Sequence, residues 1–207
     1  MTEDEAREKV LSAAEELYYR KGIAAVGMDE LRAAAGVSLR RLYVLFPSKS
    51  DIVAAVLERK HREWEAGLSA AVSEAGADPR SRVLAVYSYL EDWFCTDDFR
   101  GCAFINAFGE LGGTSPEVAT IVREHKASFQ HYMTGLVVAA GAPASLAAQL
   151  SILAEGAQST AAISADPRVA VQARDAAEVL IDAALSGAAR RSPAPMAHQG
   201  PISLDRA

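Results

Sequence analysis

Apolar positions along the chain recur three and four residues apart, and few stretches alternate with period two. The first stripe is Val10, Ala13, Ala14, Leu17 and Tyr18. Later stripes are Val83, Val86, Tyr87, Leu90 and Phe94, and then Val118, Ile121, Val122, His125, Phe129, Tyr132, Met133 and Leu136. The stops between stripes are legible. Thr2 with Glu5, and Ser48 with Asp51, form capping boxes. Asp78-Pro79, Ser115-Pro116 and Asp166-Pro167 each place a cap before a first-turn proline. Gly22, Gly36, Gly76, Gly112, Gly141 and Gly187 fall where helices should end. The pattern predicts an all-α fold of about nine helices, over 3–21, 28–35, 39–45, 49–74, 79–95, 101–111, 116–140, 143–164 and 167–187. Residues 188–207 carry Pro193, Pro195 and Pro201 and no apolar period, and read as a mobile tail.

The second and third helices are short and joined at Ala35-Gly36-Val37-Ser38. Gly36 permits the positive φ that such a turn needs. Small Ala34 and Ala35 let the two helices approach, Val37 and Leu42 plug their junction, and Ser38 caps the third helix. This is the pattern of a helix-turn-helix, whose second helix enters the DNA major groove. Any αα-hairpin can carry glycine in its turn, so the turn alone leaves both readings open.

Charge sharpens the picture only locally. The 207 residues hold 21 Lys and Arg against 27 Asp and Glu, a net charge of −6, which by itself argues against nucleic acid. The window 20–49 runs the other way, with Arg20, Lys21, Arg32, Arg40, Arg41 and Lys49 against Asp29 and Glu30. It is either a solvated helix face or a phosphate-binding patch on an acidic molecule. Half the residues are apolar and 23% charged, which excludes a disordered body. Two cysteines exclude a disulfide scaffold and a four-thiolate zinc site. Cys95 and Cys102 read as two buried thiols, or as a redox pair. The polar, acidic start is not expected to act as a signal peptide, and Gly141-Ala142-Pro143 is expected to break the uncharged stretch 127–154 into two buried helices rather than a membrane span. A cytoplasmic protein without membrane association is expected.

The stretch from Glu8 to Arg59 resembles the TetR/AcrR family of transcriptional repressors. The carrying residues are Ala34-Ala35-Gly36-Val37-Ser38, Leu42-Tyr43, Phe46, Ser48-Lys49 and Ile52-Val53, which match the family's A-G-V-S and L-Y-x-x-F-x-S-K-x-x-L in order and spacing. Leu17-Tyr18 and Gly22 match the end of its first helix. The resemblance implies DNA contacts from Ser38, Leu39, Arg40, Arg41, Tyr43, Val44 and Lys49. Arg40 or Arg41 would read a guanine edge, while Tyr43 and Lys49 would hold phosphates. Tyr43 and Phe46 are also expected to bridge the third helix to helices one and four. Three positions depart from the family: Gly27 replaces a phosphate-binding hydroxyl residue, Arg40 a small residue and Leu39 a polar one.

By the same resemblance, residues 1–48 form a DNA-binding domain and 49–187 a bundle that binds a small-molecule effector and dimerises. The small-residue-rich helices 143–164 and 167–187 are the expected homodimer interface, and the partner is a double-stranded DNA operator. Arg100-Gly101-Cys102-Ala103-Phe104-Ile105-Asn106 is similar to a G-C-x-F-x-N stretch of one family subset. Trp93, Phe104, Phe108, Phe129, Tyr132 and Met133 are candidate walls of an apolar pocket, with Asn106, His125 and Gln158 as polar anchors. No catalytic residue, metal ligand set or cofactor is expected, and His125 and His131 fall on different faces of one helix. A repressor is the leading reading. A small helical enzyme using the C-terminal cavity is the alternative, which no nucleophile–base pair or phosphate loop supports.

Overall fold

The structure is a computed structural model that describes residues 1–191, with side chains as far as residue 186. Among the described residues there are nine helices and no strand: α1 Glu3–Lys21, α2 Met28–Ala35, α3 Leu39–Leu45, α4 Lys49–Glu74, α5 Pro79–Phe94, α6 Ala103–Leu111, α7 Pro116–Ala139, α8 Ser145–Ser164 and α9 Val169–Arg191. None of them is long and apolar enough to cross a membrane. The first four bounds are as predicted. The later ones differ by one or two residues at an end, apart from α9.

Local chemistry explains the differences. Pro143 and Pro167 stand in tight turns ahead of α8 and α9, where Leu146 N–H donates to Pro143 O and Ala170 N–H to Pro167 O. Each helix therefore begins two residues later than predicted. At its other end α9 does not stop at Gly187 but runs to Arg191. A single helical glycine costs only about 1 kcal/mol. Ala188, Ala189, Arg190 and Arg191 are strong helix formers, and the arginines suit a helix C-terminus. The predicted tail thus loses its first four residues to α9, and the rest of it lies outside the described residues.

Two hydrophobic cores share α4. The first gathers Val10, Ala14 and Tyr18 of α1, Leu31 of α2, Leu42 and Leu45 of α3, and Ile52, Val53, Val56 and Leu57 of α4. Phe104 and Ala107 of α6 and Val118 and Val122 of α7 belong to this core as well. The second core joins Leu68 and Val72 of α4 to α5, the end of α7, α8 and α9. Tyr87 is fully buried there, and its hydroxyl donates to Leu150 O at 2.8 Å. Arg80 pairs with Asp182 at 3.0 Å and ties α5 to α9. Ala147, Ala154, Ala157 and Ala161 of α8 and Ala170, Ala173 and Ala177 of α9 are buried within the subunit. The small residues therefore serve internal packing. The apolar residues left outside on these helices are larger: Ile152, Ile163, Val171 and Val179.

Candidate nucleic-acid interface and interior cavities

The α2–α3 turn forms for the reason the sequence suggests. Gly36 is left-handed at φ 65°, and the N–H of Val37 reaches back to Arg32 O at 3.0 Å, which closes α2. Ser38 then caps α3, its hydroxyl accepting Arg41 N–H at 3.2 Å. A seven-residue helix cannot stand alone. It is held by Leu42, Leu45 and Phe46, all buried, against Leu31, Val10 and Ile52 of the same core. Arg7 adds a clamp, donating to Leu45 O at 3.0 Å with its guanidinium 4.5 Å above the Phe46 ring. Gly27 caps α2 with no side-chain bond, as its missing hydroxyl requires.

Packing one side of α3 presents the other. Ser38, Leu39 and Arg40 are exposed, Tyr43 is 46% exposed and Val44 73%. Tyr43 thus stands outward and does not bridge helices one and four; only Phe46 does. The spacing of α3 decides this, because Leu42 and Leu45 take the inner face and 43 and 44 fall opposite. Ala34 is likewise exposed, so Ala35 alone of the alanine pair lies in the junction. The two arginines differ. Arg41 Nη2 donates to Met1 O at 3.0 Å and Thr2 O at 2.8 Å, tying α3 to the start of α1. Arg40 makes no hydrogen bond or ion pair among the described residues. Lys49, in the first turn of α4, lies 3.5 Å from Ala24 O. Leu39, Arg40, Tyr43 and Val44 form one contiguous outward strip beside Ser38 and Lys49.

This head is fastened to the rest of the chain at two points the sequence did not reveal. Glu110 of α6 accepts the backbone N–H of Ile23 at 3.0 Å and of Ala24 at 2.7 Å. The same carboxylate stands where a Cβ on Gly22 would come within 3.2 Å, so glycine there serves both a φ of 86° and the approach of Glu110. Tyr19 of α1 donates its hydroxyl to Gly101 O and accepts Arg100 N–H, each at 2.8 Å. Glu110→Ala is expected to leave the part-buried Ile23 N–H without its partner and the exposed Ala24 N–H to water, and to cost about 0.5–1.5 kcal/mol. Its signature is faster hydrogen exchange at Ile23 and Ala24, and unchanged protection at both amides would refute the fastening.

Below the head, two cavities flank α4 and α7. One, of about 130 Å³, is lined by Trp64, Tyr89, Trp93, Phe104, His125 and Gln158, with Lys60 and Glu63 at its wall. The other, of about 230 Å³, is lined by His61, Trp64, Glu65, Leu68, His125, Phe129, His131 and Tyr132, among others. Trp64 and His125 border both. His125 is buried, its ring stacked on Phe104 at 3.5 Å between centroids and 4° between planes. Of the predicted pocket residues, Trp93, Phe104, His125, Phe129, Tyr132 and Gln158 reach one cavity or the other. Met133 does not, because it is fully buried in the second core. Phe108 stands exposed on α6. Asn106 is exposed and borders a separate small cleft between α1, α4 and α6 rather than these two cavities, its amide donating to Arg100 O at 3.1 Å. Phe104 and Ala107 claim the inner face of this nine-residue helix, Phe108 falls at its flank and Asn106 opposite it. Sequence reading missed Trp64, His61 and Tyr89, since aromatics in long helices look like plain core.

Cys95 is exposed and Cys102 buried, both free, so the expected pair of buried thiols reduces to Cys102. Among the described residues no group of three or more His, Cys, Asp or Glu side chains is arranged to hold a metal.

Burial, aided by the charge of Lys126 and by His61, lowers the His125 pKa to about 3. The unfolded ring takes up a proton near pH 6.5 and the folded one does not. Stability from this group is complete above pH 6.5 and is lost as pH falls toward 3. Between pH 7.5 and 5 the loss should reach about 2 kcal/mol in denaturant titrations. His125→Phe should remove that component; an equal pH dependence in the variant would refute the assignment.

A family model for bacterial regulatory proteins of the tetR family matches residues 10–56. The HTH-type transcriptional repressor NemR of Escherichia coli is 28% identical over 118 residues, which cover 56% of this chain and 59% of that protein. The chain therefore spans little more than half the length of that relative. A crystal structure of a TetR-family transcriptional regulator from Streptomyces coelicolor superposes with a TM-score of 0.80 at 29% identity, over 88% of this chain and 91% of the other. A TetR-type regulator structure from Streptomyces avermitilis is 32% identical over 86% of this chain and 97% of that one, with a TM-score of 0.73.

Proposed function

The chain belongs to the TetR family of transcriptional regulators, and on that premise we propose that it is a homodimeric repressor, released from a palindromic operator by a small molecule. The observation that carries the DNA-binding reading is the outward strip of α3. A helix-turn-helix whose inner face is filled by Leu42 and Leu45 offers Leu39, Arg40, Tyr43 and Val44 to a partner. That strip fits the major groove, with N-terminal residues of the helix at the base edges. Residues 1–48 make the reading head, and 49–187 the dimerising, effector-binding part. Arg40, unengaged within the protein, is the base reader. Arg41 holds the start of α1 in place, and its remaining donors face phosphate. Leu39 suits a thymine methyl. Tyr43, Val44, Ser38 and Lys49 meet the sugar-phosphate backbone, Lys49 beside a helix N-terminus that already favours anions.

Dimerisation follows from what α8 and α9 leave outside. Ile163 is 86% and Val179 70% exposed, and Ile152 and Val171 are further apolar side chains that this helix pair leaves outside. Two copies joined there present two reading heads to half-sites about one helical turn or a multiple apart. The effector occupies the cavities around Trp64 and His125. A ligand favouring a dimer whose heads are wrongly spaced lowers DNA affinity by that differential preference. The two fastenings of the head, at Glu110 and Tyr19, are where such a change would be transmitted.

The test is binding to the DNA upstream of its own and neighbouring genes, followed by two substitutions. Arg40→Ala should relax sequence preference, costing about 1–3 kcal/mol on the best site and little on others. Lys49→Ala should weaken all sequences alike and reduce the salt slope by about 1. Failure to bind any such fragment at low salt would overturn the reading.

A further inference from the structure

The polar groups around the two cavities form a line from Glu65 through His61 to His125. Glu65 Oε1 stands 3.4 Å from His61 Nε2 and accepts the Ser128 hydroxyl at 2.6 Å. On the other side of the same ring, His61 Nδ1 meets His125 Nδ1 at 3.0 Å. With one hydrogen on each ring, two imidazoles at that distance place a single hydrogen between them, so one ring donates and the other accepts. The carboxylate selects which. A lone pair on His61 Nε2 would face an anion, so that nitrogen carries the hydrogen. His61 Nδ1 then holds the lone pair, His125 Nδ1–H donates to it, and His125 Nε2 is left as an acceptor. Burial between Phe104, Trp64 and the two cavities keeps His125 neutral. Nε2 has no hydrogen-bond partner among the described residues.

A second acceptor lies in the smaller cavity. Gln158 is buried, and its amide nitrogen donates to Ala154 O at 3.4 Å. That leaves its carbonyl oxygen for another group. Around both acceptors the walls are aromatic: Trp64, Tyr89, Trp93 and Phe104 on one side, Phe129 and Tyr132 on the other. The charges at the rim are compensated, with Lys60 paired to Glu15 and Glu63. A cavity of 130–230 Å³ takes a one- or two-ring frame.

We propose that the Glu65–His61–His125 line makes His125 Nε2 a fixed hydrogen-bond acceptor, and that the protein takes neutral aromatic molecules carrying an O–H donor, of the phenol class. The proposal rests on the reading of these cavities as the effector site. A carboxylate would bring acceptors to an acceptor, and a quaternary ammonium no donor at all. An aryl methyl ether keeps the ring and loses only the donor, which isolates the term.

Calorimetric binding of 4-ethylphenol and 4-ethylanisole to the full-length protein tests it. The phenol is expected to bind about ten-fold or more tightly than the ether, because the ether leaves a buried acceptor unpaired. His125→Phe should bring the two affinities together while the ether still binds. His61→Phe, at a half-exposed position that tolerates the change, should shrink the ratio in the same direction. Nitrogen shifts of His125 in the unliganded protein give an independent reading, protonated at Nδ1 and unprotonated at Nε2. Equal affinity for phenol and ether overturns the donor requirement and leaves the effector site standing. A protonated Nε2 in the unliganded protein overturns the line itself. Binding of neither probe removes the effector site and this inference with it.

Discussion

Leu42→Ala should abolish sequence-specific DNA binding without any change to the surface that meets DNA. Leu42 is fully buried at the centre of the head, between α1, α2 and the start of α4. Truncating such a leucine costs about 2–5 kcal/mol, the larger figures where the site cannot collapse. α3 is seven residues long and owes its position to Leu42, Leu45 and Phe46. Loss of the middle anchor therefore frees the strip it carries. The bundle below has its own core around Tyr87, Leu90 and Leu150 and should survive. Expected results are an early melting step confined to the head, retained helicity of the bundle, and operator affinity reduced to the nonspecific level. A variant that melts in one unshifted step and still discriminates operator from random DNA would show that α3 is held by something else.

The second large effect belongs to the opposite end of the molecule. Ile163→Glu with Val179→Glu places two charges on the apolar face of α8 and α9, where both side chains are largely exposed in one subunit. In an isolated subunit such substitutions are nearly free, within about 0.5 kcal/mol. In a dimer built on this face, a buried unpaired carboxylate costs several times that. The double variant is thus expected to unfold cooperatively at a midpoint below the wild-type dimer's and independent of protein concentration, to halve in mass by light scattering, and to lose operator affinity by about a thousand-fold. A specific complex is typically that much tighter than nonspecific binding, and a single reading head retains little of the difference. A wild-type chain that is already monomeric at micromolar concentration, or a variant that stays dimeric, would move the interface elsewhere.

How much of this was legible in the sequence varies with the range of the forces involved. The bounds of α1 to α4 followed from local chemistry, because each end is set by residues within four positions of it. Thr2 with Glu5 and Ser48 with Asp51 cap as their spacing requires, and Gly36 closes α2 in the left-handed region. The later ends drifted where two local signals competed, as when a proline before α8 or α9 made a turn of its own. Gly187 misled because a stop signal is weak against four good helix formers behind it.

The candidate sites divide along the same line. The sequence by itself determined that the chain is helical, where its first helices begin and end, and that Leu42 and Leu45 share one side of α3, since each depends on neighbours along one helix or turn. Only the tertiary structure decided that Arg41 is engaged with the start of α1 while Arg40 is not, and that Glu110 reaches across 87 positions to the backbone of Ile23. It also set Phe104 flat against His125, turned Phe108 away, and joined His61 to His125 across 64 positions. Periodicity assigns a residue to a face of its own helix. It carries no information about which other helix that face meets, and the polar pairing inside a bundle is a property of those meetings.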